Sequence, residues 1–327
     1  MSESELLQLV IPPHLAGQRL DQALAELVPD YSRSRLQQWI KDGRIKVDGE
    51  ISRPREKLRG NEQISIDVEH EPQTSWEAEE LPIDIVYEDE AIIIINKPAG
   101  LVVHPGTGNN SGTLVNGLLH HDAKLIEVPR SGIVHRLDKD TTGLLVVART
   151  MAAHTQLVER LQVHDVKREY EAVAIGTMTA GGTVDEPMGR HPTQRTRMAV
   201  LVSGGKTAVT HYRIKERFRA HTHVQVNLET GRTHQIRVHM AHIRHPLVGD
   251  PAYGGRLRLP PKSSDELIDS LRTFPRQALH AARLGFVHPL TQQEVEWSAP
   301  LPEDMQRLLQ VLKEDTRHHQ DEYDDYS

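Results

Sequence analysis

The 327-residue chain contains no cysteine. That excludes disulfides, thiolate nucleophiles and Cys-ligated zinc. Aromatic residues are scarce, with 3 Trp, 3 Phe and 7 Tyr. No apolar run approaches the roughly 20 residues that a membrane-spanning helix needs. The opening Met1-Ser2-Glu3-Ser4-Glu5 is acidic and lacks the basic and hydrophobic regions of a signal peptide. These absences predict a soluble, cytoplasmic protein with no membrane partner. Hydrophobic residues make up 37% of the chain, enough for one large domain and a small one.

Net positive charge is also lacking, at −7 overall, but the charge is segregated. Residues 67–90 hold ten acids and no Lys or Arg, and residues 314–327 hold six acids and one Arg. With both segments set aside, the rest of the chain carries +8. Within it, Arg33–Arg59 has nine basic and four acidic residues, and Glu186–Arg256 has twelve and four. Two basic stretches are the footprint expected of phosphate contacts.

The first seventy or so residues read as a compact unit. Leu20, Ala23, Leu24 and Leu27 repeat at helical spacing. Ser32 is placed to cap a second helix carrying Leu36, Trp39 and Ile40 on one face, with Arg33, Arg35 and Lys41 elsewhere. Asp42-Gly43 breaks that helix. Arg44–Val47 then alternates as a strand up to Asp48-Gly49, a hairpin-turn signal, and Gln63–Val68 offers another strand. Residues 69–83 are acidic, contain Pro72 and Pro82, and read as a linker of limited order. Beyond it, residues 91–95, 144–148, 170–175, 209–214 and 223–228 read as strands, and 151–161 and 303–312 as helices. Strands dominate the middle without the regular strand–helix alternation of a parallel α/β fold. The acidic tail, 314–327, is expected to lack order.

The most informative stretch is 132–148. A polar heptad, His135-Arg136-Leu137-Asp138-Lys139-Asp140-Thr141, lies between two apolar runs. Partial burial at the lip of a core, beside an opposite charge, is how proteins tune a reactive group. The bland alternative is an interstrand turn with a solvated Asp–Arg pair.

His-Arg-Leu-Asp-x-x-Thr-Thr-Gly resembles the signature loop of the RluA-type pseudouridine synthases, with Thr142 where many members have Ser. Residues 96–105 (NKPAGLVVHP), 167–170 (KREY), 230–239 (TGRTHQIRVH) and 277–281 (QALHA) resemble further blocks of that family, in family order. The amino-terminal unit, with Arg19-Leu20-Asp21 and its Ser-Arg-Ser-Arg-Leu run, is similar to an S4 RNA-binding domain. The likeness implies an α+β fold with a mixed, largely antiparallel catalytic sheet. Its implied divisions are an S4-like domain (1–75), an acidic linker (76–83), a catalytic domain (84–313) and the tail.

The resemblance makes Asp138 the catalytic carboxylate, Arg237 its ion-pair partner and Tyr170 the aromatic that packs on the target base. Arg232 is a second candidate for the pairing. Arg136 and His135 are placed to hold open the space that a flipped uridine leaves. Arg33, Arg35, Lys41 and Arg44 are the expected RNA contacts of the S4-like unit. Lys97 and His104 are expected to face the backbone or frame the site, with a purely structural part as the alternative for both. Moving uracil from an N1 to a C5 attachment involves no redox change, so no cofactor, nucleotide or metal is expected. Whether the aspartate attacks ribose or base, or drives elimination to a glycal, stays open.

His234, His239, His242 and His245 also suggest a metal site. They lack a carboxylate at metalloprotease spacing and are interleaved with arginines. The kinase loop, a phosphate-binding loop and a dinucleotide fingerprint do not fit the order of residues. A non-catalytic RNA-binding or ribosome-assembly protein is the rival reading. It gives no use to an acid aimed at RNA. The near-full-length resemblance implies large-subunit rRNA, in the domain IV stem-loop at the subunit interface, with several uridines modified by a monomer within an assembling large subunit. A tRNA substrate is the alternative.

Overall fold

The computed structural model describes residues 4–28, 33–69, 76–106, 109–194 and 196–324. The chain divides into two compact units, 1–75 and 76–327.

In the first unit, helices Leu20–Leu27 and Arg33–Lys41 pack on an antiparallel sheet. Its strands run in the order Ser4–Val10, Gln63–Glu69, Ile45–Val47, Glu50–Ile51. Leu20, Ala23, Leu24, Leu36, Trp39, Ile40, Ile45, Ile64 and Ile66 form the buried core. Asp48 and Gly49, both left-handed, make the two-residue turn between Ile45–Val47 and Glu50–Ile51. The strand Ser4–Val10 is an addition to the sequence reading: it directs Leu7 and Leu9 to the core and leaves Leu6 and Val10 exposed. Ser32, expected as a cap, lies outside the described residues.

The second unit is built on one large sheet. Across it lie Ile85–Glu88, Ile92–Lys97, Thr142–Ala148, Leu279–Val287, Lys167–Ile175, His221–Leu228, Val209–Arg217 and Gly182–Asp185, with Glu294–Ser298 also paired to Leu279–Val287. Among the described residues one pairing is parallel, Thr142–Ala148 with Leu279–Val287; the others are antiparallel. The mixed, largely antiparallel α+β architecture is therefore present.

Both faces of the sheet are covered, which explains why Ile92, Ile93, Ile94 and Ile95 form an unbroken apolar run and are all fully buried. Ile92 and Ile94 face the helix Met151–Gln162 through Leu157. Ile93 and Ile95 face the helix Leu114–His121, Ile236 and Tyr170. The reactive loop and the helix Gln235–His242 lie on this second side.

Two expectations at the margins are corrected. Residues 76–83 are not a loose linker. Trp76, Ile83 and Ile85 pack against the main core, Glu79 accepts from the Gly112 amide, and the Asn116 side chain donates to the Glu77 carbonyl. Residues 70–75 lie outside the described residues. The tail is not structureless either, because the last helix runs Glu303–Asp324. Its Met305, Leu308, Val311 and Leu312 are buried, and Asp315 continues that stripe. The buried Asp315 carboxylate takes two hydrogen bonds from Arg219, each 2.9 Å. Counting acids overlooked one that is paired and in register with the apolar face.

Candidate active site

Asp138 lies in the turn that leads into the strand Thr142–Ala148, and the Thr141 amide donates to the Asp138 carbonyl at 3.1 Å. Side chains from other segments pin this turn. Gln277 Nε2 donates to Thr141 Oγ1 at 3.0 Å, and Arg276 donates to the Asp140 carbonyl. His280 Nε2 faces the Ala299 carbonyl, so Nδ1 is free to accept from the Thr142 hydroxyl at 2.9 Å. The Thr-for-Ser departure thus keeps a working hydroxyl. Gly143 follows at φ 110°, where a Cβ would lie 2.2 Å from the Ala281 carbonyl oxygen. Only glycine lets the two strands meet there.

Lys97 is fully buried, and its ammonium donates to the carbonyls of Pro98 (2.7 Å), Leu101 (2.9 Å) and Lys139 (2.8 Å). Burial lowers its pKa to about 8, partly offset by Asp140 and Asp138. It ties the segment 98–101 to the reactive turn, which places it under the site rather than in it.

Arg237 projects from the helix Gln235–His242 and is buried. Its Nη1 donates to Asp138 Oδ2 at 3.0 Å. Its Nε and Nη2 grip Asp250 in a two-point pair at 2.7 and 2.8 Å. Asp250 also accepts the amides of Ala252 and Tyr253. Burial alone would lower the Arg237 pKa, but the bonds and charges of Asp250 and Asp138 raise it. Burial likewise opposes ionisation of Asp250, and the Arg237 bonds overcome it, leaving its carboxyl below the ordinary range. The result is a chain, Asp250–Arg237–Asp138, in which the first carboxylate is sealed and the last is open to a cleft.

That cleft measures about 920 Å³. Val102, Tyr170, Leu228, Ile236 and Leu279 supply its apolar walls, and Arg136, Arg232, His104 and His135 also line it. Tyr170 is buried in the sheet, paired with Val226 and Ala281 on either side. Burial raises its hydroxyl pKa, with the Asp138 charge adding to the effect, so the group stays protonated at neutral pH. Arg136 is exposed at the cleft. The structure therefore brings together Asp138, Arg237, Tyr170, Arg136 and His135.

Their parts differ from the sequence reading in places. His135 Nε2 accepts the Val146 amide at 3.1 Å, and burial with the Arg168 charge lowers its pKa to about 3. It is a neutral strut on the neighbouring strand. Arg232 lines the cleft but donates to the Thr207 carbonyl at 3.1 Å, so the bond to Asp138 comes from Arg237. Arg33 is bound to the buried Asp21 at 2.8 Å, alongside Arg19 and Gln37, which commits much of its guanidinium within the small unit. Lys41 is exposed and Arg44 half-buried. The Arg35 side chain lies outside the described residues.

Of the histidine cluster, His239 is buried between Thr210 and the Glu186 carbonyl, and His245 bonds the Ile175 carbonyl. Sequence reasoning missed Asp250, which sits in a Gly-Asp-Pro turn with nothing to distinguish it from an ordinary one. It also missed Gln235, which is buried and bonds Thr230, the Arg232 amide, Val209 and Thr210.

The chemistry available is that of an oriented carboxylate in a partly water-excluded cleft, beside an aromatic wall and a basic rim. It suits attack on, or charge stabilisation at, a nucleoside turned out of its stack.

Comparison with known proteins is consistent with this geometry. Residues 91–242 match the family model described as RNA pseudouridylate synthase, and 18–64 match the S4 domain. The chain is 59% identical over 325 residues to the ribosomal large subunit pseudouridine synthase D of Escherichia coli K12, covering 99% of each chain. It is 58% identical to the Yersinia pestis protein of the same name, covering 99% of this chain and 100% of that one. Among solved structures, human RNA pseudouridylate synthase domain containing 4 superposes with a TM-score of 0.55 at 26% identity, over 70% of this chain and 93% of that one.

Proposed function

The chain belongs to the RluA-type RNA pseudouridine synthases and is an isomerase, and on that premise we propose that it converts uridines of large-subunit rRNA to pseudouridine, with Asp138 as the reacting carboxylate. The observation that carries the reading is the partly exposed Asp138, fixed at Oδ2 by an Arg237 that is itself locked to the buried Asp250. A binding protein has no use for a charge oriented at that cost in desolvation.

The reaction follows from these residues. A target uridine leaves its stack, at a cost of a few kcal/mol, and enters the cleft. Arg136, exposed beside Asp138, occupies the vacated space. Tyr170 packs against the base, a contact typically worth about 1–3 kcal/mol. Asp138 drives cleavage of the N1 bond, the walls keep the freed base from escaping before it turns and rejoins through C5, and the step closes with loss of the C5 proton and protonation of N1. No redox change arises, so the reaction as read calls for no redox cofactor.

The finer reading is a domain IV stem-loop at the subunit interface, several uridines per substrate, a monomeric cytoplasmic enzyme and an assembling large subunit as its target. Its large-subunit part is supported by likeness over at least 99% of both chains to proteins named for the large ribosomal subunit. The S4-like unit supplies the second hold on structured RNA. Carbodiimide–primer-extension mapping of rRNA from cells lacking the protein tests it. Loss of pseudouridine in one stem-loop, restored by wild type and not by Asp138→Asn, is the expected result. Unchanged rRNA would overturn the substrate assignment.

A further inference from the structure

His234 lines the cleft and opens the helix Gln235–His242 with a left-handed backbone, φ 58°. A non-glycine residue in that region costs on the order of 1 kcal/mol or more and persists where its surroundings demand it. Here the surroundings also bear on where the ring carries its proton. Tyr253 Oη accepts the Met198 amide at 2.9 Å and lies 2.8 Å from His234 Nδ1. With Oη already accepting the Met198 amide, the arrangement favours a hydroxyl proton directed to Nδ1 and an Nδ1 that is the unprotonated nitrogen. That arrangement puts the ring hydrogen on Nε2. That atom lies 3.9 Å from Asp138 Oδ1, the oxygen that Arg237 does not hold. The gap is too long for a hydrogen bond and about 1 Å from being one.

We propose that His234 is a positioning residue for the reaction: Tyr253 fixes its Nε2–H tautomer, and that N–H closes on Asp138 Oδ1 when RNA fills the cleft. Bonds that are slack in a free enzyme commonly tighten in the substrate complex. Arg237 holds one carboxylate oxygen throughout, and His234 holds the other during reaction, so the carboxylate cannot rotate away from the sugar or base. The inference rests on the reading of Asp138 as the reacting group.

The charge around the ring suits this part. Asp138, Asp250, Arg237, Arg136 and the Tyr253 hydroxyl face or influence it. Burial lowers the His234 pKa, Asp138 and Asp250 oppose that, and Arg237 and Arg136 reinforce it. A neutral ring is required, because an imidazolium would carry a second proton on Nδ1 and expel the Tyr253 hydrogen. Tyr253 is itself held in place: its ring lies 5.1 Å below the Arg237 guanidinium, and its own amide donates to Asp250. One carboxylate, Asp250, thus aligns both arms that reach Asp138.

The test uses the full-length protein on large-subunit rRNA, or on immature subunits, whichever the wild type turns over. A hydrogen bond to a charged group implies that His234→Ala lowers kcat about 10–100-fold, with KM changed less than about twofold. His234→Gln, whose amide can still donate, recovers kcat to within about fivefold of wild type, and Tyr253→Phe lowers it about 3–10-fold. In ¹⁵N-histidine spectra the wild-type ring is the Nε2–H tautomer, and Tyr253→Phe gives a mixture. An Nδ1–H ring in the wild type, or wild-type kcat for His234→Ala, overturns the proposal. Asp138→Asn separates the two levels. If it is inactive while His234→Ala is not, the positioning role alone falls; if it turns over normally, the reading of Asp138 falls first.

Discussion

At the scale of single residues, the site depends on how one carboxylate keeps its direction. Asp138 is half-buried and one of its oxygens is bound by Arg237, whose Nε and Nη2 donate to Asp250. Replacing Asp250 with Asn keeps its shape and removes its charge, so one arm of the two-point pair is lost and Arg237 gains freedom to turn. We predict a fall in kcat of about 10–100-fold, the range of a lost charge-assisted bond. RNA affinity, measured by filter binding, should stay within about threefold. Equal kcat for Asp250→Asn would mean that Arg237 is oriented some other way. Asp138 itself was legible in the sequence through the resemblance of its His-Arg-Leu-Asp-x-x-Thr-Thr-Gly run to a family signature, since the charged heptad alone favoured an ordinary interstrand turn. Asp250 was not, since it reaches Arg237 through folding across thirteen residues and a turn of common composition. His135 misled for a related reason: a histidine beside an active loop reads as functional until its Nε2 is found on the Val146 amide.

At the scale of elements, the reactive turn is held by what lies beneath it. The Lys97 ammonium bonds three carbonyls, one of them in the turn. Lys97→Met would leave those carbonyls buried and unpaired, each at roughly 1–3 kcal/mol. Urea unfolding should register a loss of at least about 2 kcal/mol, with activity falling further than stability alone explains. An unchanged midpoint would contradict the bonding described. Gly143→Ala is a second check on the same turn. A Cβ 2.2 Å from the Ala281 oxygen on a φ of 110° predicts a loss of about 3 kcal/mol or more, read in the same unfolding experiment.

The strands that bury both faces, such as Ile92–Lys97 and Thr142–Ala148, were plain from their apolar, β-branched runs. Their order was not, since parallel neighbours Thr142–Ala148 and Leu279–Val287 lie more than a hundred residues apart. The last helix was cut short in the sequence reading because acidity outweighed periodicity; Asp315, bound by Arg219, lies on the buried side beyond that point.

At the scale of the molecule, the net charge of −7 conceals basic stretches that an RNA substrate requires, and only mapping the charge along the chain exposes them. The same burial that shapes the site makes the fold acid-sensitive. His135 and His221 have pKa values lowered by burial to about 3 and about 4, and Glu171, despite opposing burial, is lowered by His223 and Lys215 to about 2. Each group binds protons more readily unfolded than folded. The two histidines therefore withdraw stability as pH falls below about 6.5, and Glu171 does so below about 4.5. Melting followed by circular dichroism should show Tm lower by at least about 5 °C at pH 4.5 than at pH 7. A flat profile would mean that these groups are not buried in the folded state.

The most direct test of the whole account is release of tritium from rRNA labelled at uridine C5, since that hydrogen must leave when the base rejoins through carbon. Wild type and Asp138→Asn would be compared at matched RNA occupancy, with binding measured in the same buffer. The account predicts stoichiometric release by the wild type and a rate at least about 10⁴-fold lower for the variant, with affinity retained. Release by Asp138→Asn at the wild-type rate would contradict it.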